Sequence, residues 1–467
     1  MLTYDLEQAT GPLYQYIYQC LKDDIMTGGL QAGDKLPSKR TFARNHGIST
    51  ITIQNAYDQL ISEGYIYTVP KKGYYVAKIR GMRQVPKETN LSLNIQRQEK
   101  KVEYAVDLSD NRMSPERFPF TVWAKIGREI MSDHKSELME PSPAGGTRAL
   151  REAVAEHLKS YRAMLVDPDQ IVVGAGTEYL YSLLVQLLAP RSTYCLEDPG
   201  YKKIAQVYKR CGVTCRYGRL DDQGITVDSL KRSGADIAHI SPNHHFPTGI
   251  TMPASRRYEV LAWANEKEGR YLIEDDYDSE FRLGGRPVPT LFSIDACEKV
   301  IYMNTFSKSL TPTIRISYMV LPVHLANRFY EELSFYSCTV SNFEQYTLAV
   351  FIKQGYFEKH INRMRLYYAR QRQKIKEVLE KGAPGLPCEI RENDSGLHFL
   401  LHLKTDLTDR EVVKKLAEQG VRVHALSEYY TKKQGEEHFF IINYSNLDVE
   451  KAAAAMEIIA DVTGGKL

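Results

Sequence analysis

The residue whose setting most suggests chemistry is Lys308, in Asn304-Thr305-Phe306-Ser307-Lys308-Ser309-Leu310, after the apolar run Val300–Met303. A lysine there leaves a strand end and enters the cleft of a doubly wound sheet, where ligands bind. Burial and neighbouring positive charge are expected to lower its pKa, which makes a neutral, nucleophilic amine accessible. Arg315, seven residues on, can grip an anion bidentately, and Thr305 and Ser307 offer hydroxyls to the same anion. Asp275 follows the run Tyr271–Ile273, where a carboxylate can hold a ring nitrogen protonated. Tyr277, two residues on, faces the same side and can hydrogen-bond a ring oxygen. Gly174-Ala175-Gly176-Thr177-Glu178 opens a helix after Ile171–Val173, so its backbone amides can meet a phosphate. Tyr201, in Asp198-Pro199-Gly200-Tyr201, can swing an aromatic over a ring.

Each feature alone has a plain explanation: a surface lysine, an acidic loop, a glycine turn. Together they supply an amine for an aldehyde, a carboxylate for a pyridine nitrogen, an anion cradle and a stacking ring. That set fits one cofactor, pyridoxal 5'-phosphate.

The elements that must position these groups follow from hydrophobic periodicity. Strands are expected at Ile171–Val173, Thr193–Leu196, Ile237–Ile240, Tyr271–Ile273, Val300–Met303 and Ser317–Val320. Helical stretches such as Glu178–Leu188 and Ser255–Asn265 lie between most of them. That rhythm predicts an α/β domain with a mostly parallel sheet covered on both faces. From about Glu389 a smaller α+β unit is expected, with strands His398–Leu403 and Phe439–Asn443.

Residues 1–78 read as a separate, mostly α unit. Pro12 opens a helix with Leu13, Tyr16, Ile17, Leu21 and Ile25 on one face, and Gly28-Gly29 ends it. Ser38 caps a short second helix, and Ser49 caps a third that buries Ile53, Ala56, Tyr57, Leu60 and Ile61. Tyr65–Val69 and Tyr74–Val76 form a hairpin with Lys71 and Lys72 at its tip. Three helices and a basic wing can set one helix in a DNA major groove. Arg40, Arg44, Lys71 and Lys72 then meet phosphates, while Ser49, Thr50, Thr52, Gln54 and Asn55 begin the helix that faces the bases. Residues 79–104 are expected to be a polar linker, and 105–467 the cofactor-binding domain.

The run Leu36-Pro37-Ser38-Lys39-Arg40, with Gly47-Ile48-Ser49, Ala56-Tyr57 and Glu63-Gly64, resembles the GntR winged-helix signature. The resemblance makes Arg40 a backbone-contacting arginine. Thr50 and Gln54 stand where many members carry guanine-reading arginines. The second part resembles fold-type-I aminotransferases over about Ala105 to Asp461, through Ala144-Gly145-Gly146, Pro247-Thr248-Gly249 and the order Asp275, Lys308, Arg315. By that resemblance Lys308 bonds the cofactor aldehyde, Asp275 pairs with the pyridine nitrogen and Tyr277 bonds the ring oxygen. Tyr201 stacks on the ring, and Gly176, Thr177, Thr305, Ser307 and Arg315 hold the phosphate. The fusion resembles the MocR group of GntR-type regulators, whose versions of His245–Gly249 and Glu274–Phe281 this chain carries. Two departures stand out. Phe246 occupies the position of an asparagine in ordinary aminotransferases. Ile441-Ile442-Asn443-Tyr444-Ser445 occupies the strand that otherwise carries the substrate-carboxylate arginine. Arg422 is the candidate replacement for effector binding.

The resemblance implies a transcriptional regulator that binds double-stranded operator DNA and senses pyridoxal 5'-phosphate or a small amine or amino acid. The alternatives are an active aminotransferase with an accessory DNA-binding unit and a DNA-bridging dimer with an empty fold. A homodimer, with a swapped arrangement of the winged helices, is expected. The net charge of +3 means that any DNA-binding face must be a local patch. The seven cysteines are unpatterned and build no metal set, which fits a reducing cytoplasm. The polar, acidic start is not a signal peptide, and no apolar run approaches the roughly 18 residues of a membrane span.

Overall fold

The computed structural model describes residues 4–79, 102–110, 112–188, 192–283, 288–381, 388–391, 396–432 and 437–464. The chain divides into two compact units, 1–100 and 101–467. The expected linker, residues 79–104, lies almost wholly outside the described residues.

In the first unit, α1 (Leu13–Thr27) buries Ile17, Tyr18, Leu21 and Ile25, and Gly28 ends it at φ +83°. The short α2 (Lys39–His46) begins at Ser38, whose hydroxyl accepts from the Thr41 amide. In α3 (Thr50–Ser62) the Ser49 hydroxyl accepts from the Ile51 amide, and Ile53, Ala56, Tyr57 and Leu60 turn inward. The two caps satisfy amides that the helices cannot. Tyr18 donates to Glu63 at 2.6 Å, and Lys22 pairs with the same carboxylate at 2.9 Å, which ties α1 to the end of α3. The wing is β2 (Ile66–Val69) against β3 (Gly73–Val76). A two-residue strand too short to show in the hydrophobic pattern, β1 (Lys35–Leu36), completes the sheet in the order β1-β3-β2.

The second unit is built on an eight-stranded sheet. Its strands are β5 (Ile171–Gly174), β6 (Thr193–Asp198), β7 (Thr214–Asp221), β8 (Gly224–Ile225), β9 (Ile237–Ile240), β10 (Tyr271–Asp275), β11 (Val300–Thr305) and β12 (Ser317–Val320). Their order is β5-β12-β11-β10-β9-β6-β7-β8. The centre, from β11 to β7, is parallel, whereas β12 runs against both of its neighbours. Successive residues serve opposite faces, as strand geometry requires. Ile273 and Ile301 pack into one core and Leu272 and Val300 into another, so both faces are dry. An antiparallel sheet of β13 (Cys388–Arg391), β14 (His398–Leu403), β16 (His424–Ala425) and β17 (Phe439–Asn443) forms the smaller subdomain. The pair β4 (Val106–Asp107) and β15 (Val421–Arg422) joins the start of the unit to it.

Because β5, β6, β9, β10 and β11 point the same way, Gly176, Asp198, Ser241, Asp275 and Lys308 emerge along one sheet edge. Ligand clefts form at such edges, where the strand order reverses.

Candidate functional site

Asp275 ends β10 and is buried. Its Oδ2 accepts from the Tyr181 hydroxyl at 2.7 Å and lies 3.3 Å from His239 Nε2. The Tyr208 hydroxyl stands 2.8 Å from His239 Nδ1, and donation there leaves the imidazole hydrogen on Nε2, aimed at Asp275. Asp275 Oδ1 has no hydrogen-bond partner among the described residues. An unmet buried carboxylate oxygen is costly, and a protonated ring nitrogen is a partner of the right chemistry.

Lys308 sits in the one-turn helix Phe306–Ser309 that follows β11. Its amine makes no hydrogen bond or ion pair among the described residues, and loss of water pulls its pKa down to about 8. The expected help from positive neighbours is absent. The charges that act on it, Asp278 and Asp110, pull the other way, so burial alone makes the amine available.

The candidate anion cradle lies between the helix Thr177–Leu187 and the approach to β12. Gly176 has φ +91°, and a Cβ there would collide with the Arg315 guanidinium, 2.6 Å from its Cζ. Arg315, itself left-handed at φ +52°, donates to Ala175 O at 3.1 Å and Glu178 Oε2 at 2.7 Å. Glu178 also binds Lys203. Burial would raise its carboxyl, but these two cations hold it near 2. Thr305 reaches the cleft, yet its hydroxyl is engaged. It donates to Ile316 O and accepts from Ser317 and from the Ser307 amide, so it positions the turn. The Ser307 hydroxyl has no partner among the described residues, and Thr177 lines the cleft at the helix start.

The cleft encloses about 790 Å³. At its mouth Tyr201 is half exposed, with its ring edge-on to Phe246 at 5.9 Å. The Tyr277 hydroxyl is 3.1 Å from His244 Nδ1, which also lies 2.8 Å from Asp278. Sequence reasoning did not assign His239, His245, His398, Glu197 or Asn443, all of which line the cleft. Burial lowers His245 to about 3, also pulls His398 well below the usual imidazole value and raises Glu197 to about 8. His239 had left a signal, an imidazole inside the apolar strand Ile237–Ile240 that needs a buried partner.

Arg422 is not brought to the cleft. It lies on the edge strand β15, half exposed, with its guanidinium 3.5 Å from Asp107 and over the Tyr104 ring. Nor does another arginine stand at the clamp position among the described residues. Ile441 is buried there with Leu400 and Leu426, packed against Phe246 and Tyr429.

The first unit carries its own candidate interface. Arg40, Arg44, Lys71 and Lys72 are exposed, and their side chains make no ion pair among the described residues. Lys71 stands at the wing tip with φ +61°. Thr50, Gln54 and Asn55 are exposed on α3, Thr52 is half-buried, and the Ser49 hydroxyl is used by the cap.

Residues 104–459 match the family "Aminotransferase class I and II", and residues 13–76 match "Bacterial regulatory proteins, gntR family". The "Uncharacterized HTH-type transcriptional regulator YdeL" of Bacillus subtilis is 36% identical over 422 residues, covering 90% of each chain. The "Probable rhizopine catabolism regulatory protein MocR" of Rhizobium meliloti is 29% identical, over 96% of this chain and 93% of that one. The chain belongs to the MocR group of GntR-type transcriptional regulators, with an aminotransferase class I and II domain. Within that group the similarity also extends to the pyridoxine biosynthesis regulator PdxR of Corynebacterium glutamicum, 29% identical over 87% of this chain and 86% of that one. The second unit has the fold of a multiple substrate aminotransferase from Thermococcus profundus, with a TM-score of 0.69 at 23% identity over 78% of this chain and 92% of that one. No described helix is long and apolar enough to cross a membrane.

Proposed function

We propose that this regulator binds operator DNA through residues 1–78 and senses pyridoxal 5'-phosphate, or an amine that meets it, in the cleft of residues 105–467. The observation that carries the reading is Asp275. Its carboxylate is held by Tyr181 and His239 on one oxygen and left open on the other, in the same cleft as a lysine freed by burial. When bound, pyridoxal 5'-phosphate supplies an aldehyde and an electron-poor ring. Asp275 would hold the ring nitrogen. Gly176, Thr177, Ser307 and Arg315 would hold the phosphate, with Thr305 supporting the turn. Tyr201 would cover the ring, Tyr277 would meet its oxygen, and Lys308 would be the point of covalent attachment.

Ile441 in place of a guanidinium supports regulation over turnover, because an α-carboxylate finds no clamp there. The effector must bind the DNA-competent and DNA-incompetent states unequally, since equal affinity shifts nothing. We further propose a homodimer working in the cytoplasm on paired half-sites. An absorbance titration of the full chain with the cofactor and a panel of amines, run beside operator binding, tests the reading. Spectral change coupled to a shift in operator affinity supports it. Rapid transamination with DNA affinity indifferent to every ligand would make the chain an enzyme first.

A further inference from the structure

The outward face of α3 has an unusual composition for a helix that meets DNA. Burial of Ile53, Ala56, Tyr57 and Leu60 leaves the stripe Thr50, Ile51, Gln54, Asn55 and Asp58 in solvent. No lysine or arginine occurs anywhere in α3. Ile51 is 69% exposed, an apolar side chain alone on a polar face. The exposed cations belong to other elements: Arg40 and Arg44 to α2, and Lys71 and Lys72 to the wing tip. Charge for phosphates therefore comes from outside α3, whose first turns offer uncharged side chains to bases. Asp58, one turn beyond Gln54, would repel phosphates, which limits the contact to the first two turns.

The base edges sort these side chains. Guanine offers two acceptors, O6 and N7, and is read chiefly by arginine or lysine. Adenine offers an acceptor and a donor, N7 and N6, which match the amide of glutamine or asparagine. Thymine alone presents a methyl group in the major groove, the partner for an apolar side chain. We propose that the operator half-site is A·T-rich under α3, with Ile51 against a thymine methyl and Gln54 on an adjacent adenine. The inference rests on the proposed function, since it requires α3 to enter the major groove.

The test uses the purified full chain with pyridoxal 5'-phosphate present. Bound duplexes are selected from a random pool, and the winning site is then resynthesised with uracil in place of each thymine. The expected half-site contains A·T pairs, and at one position loss of the thymine methyl weakens the wild-type protein but leaves Ile51→Ala unaffected. Gln54→Arg, which keeps an exposed helix former, should change preference at one position from adenine to guanine by about tenfold. A half-site read at G·C pairs, or a Gln54→Arg protein with unchanged preference, overturns the inference while leaving DNA binding intact. So does binding that ignores sequence. Failure to bind any duplex overturns the proposed function and this inference with it.

Discussion

Replacing Gly176 by alanine tests the anion cradle without removing a charged group. At φ +91° and ψ 161° the backbone occupies a region reserved for glycine, so a side chain costs roughly 1–3 kcal/mol in strain. The new methyl would also run into Arg315 Nη2 and lie 2.6 Å from its Cζ, so the guanidinium must move. A charge-assisted hydrogen bond to the phosphate is worth about 1.5–3 kcal/mol, and its removal costs roughly 10- to 150-fold in affinity. Titration of the apo protein with pyridoxal 5'-phosphate, followed by absorbance, should show that weakening. Thermal melting should separately report the strain. Since the methyl acts through Arg315, its effect on cofactor affinity should largely vanish in an Arg315→Ala background. Wild-type affinity in Gly176→Ala, or full additivity in the double variant, would refute the cradle.

Three further outcomes are expected. Covalent attachment at Lys308, trapped with borohydride, should accelerate about tenfold per pH unit below about 8 and level off above it. The sign follows from burial, which lowers the amine pKa so that the neutral form dominates above that value; a rate still climbing steeply at pH 10 contradicts it. Asp275→Asn should weaken cofactor binding by about tenfold or more without lowering the melting temperature of the apo protein, because the amide oxygen can keep the Tyr181 and His239 bonds while the amide nitrogen falls where Oδ1 has no partner to lose; unchanged affinity argues against the ring-nitrogen role. In Arg40→Ala with Lys72→Ala the salt dependence of DNA binding should flatten by about one unit of slope for each phosphate no longer neutralised, and an unchanged slope would remove both residues from the interface.

Much of this architecture was legible because buried parallel strands are continuous apolar runs. Val300–Met303 and Ile237–Ile240 could hardly be anything else between helices. The strand Thr214–Asp221 is hidden in the sequence because it lies near the sheet edge, where its burial alternates and most of its residues meet water. Periodicity also says nothing of direction, so the reversed β12 emerged only from pairing. Within the site, Lys308, Asp275 and Gly176 were legible as strand-end residues. Most of their supports were not, because they meet the site only through pairings with distant strands or helices. Tyr181 and His239 reach Asp275 from two separate elements, and Glu178 meets both Arg315 and Lys203. Arg422 was misplaced for the same reason: its partner, Asp107, lies at the far end of the domain sequence.

The most direct test of sensing through the cleft is operator affinity of the full chain, measured with and without pyridoxal 5'-phosphate and the amine panel, in wild type and Lys308→Ala. The expected result is a several-fold shift in wild type that Lys308→Ala abolishes while keeping its basal DNA affinity. Equal affinity in every cofactor state of the wild-type protein would contradict it.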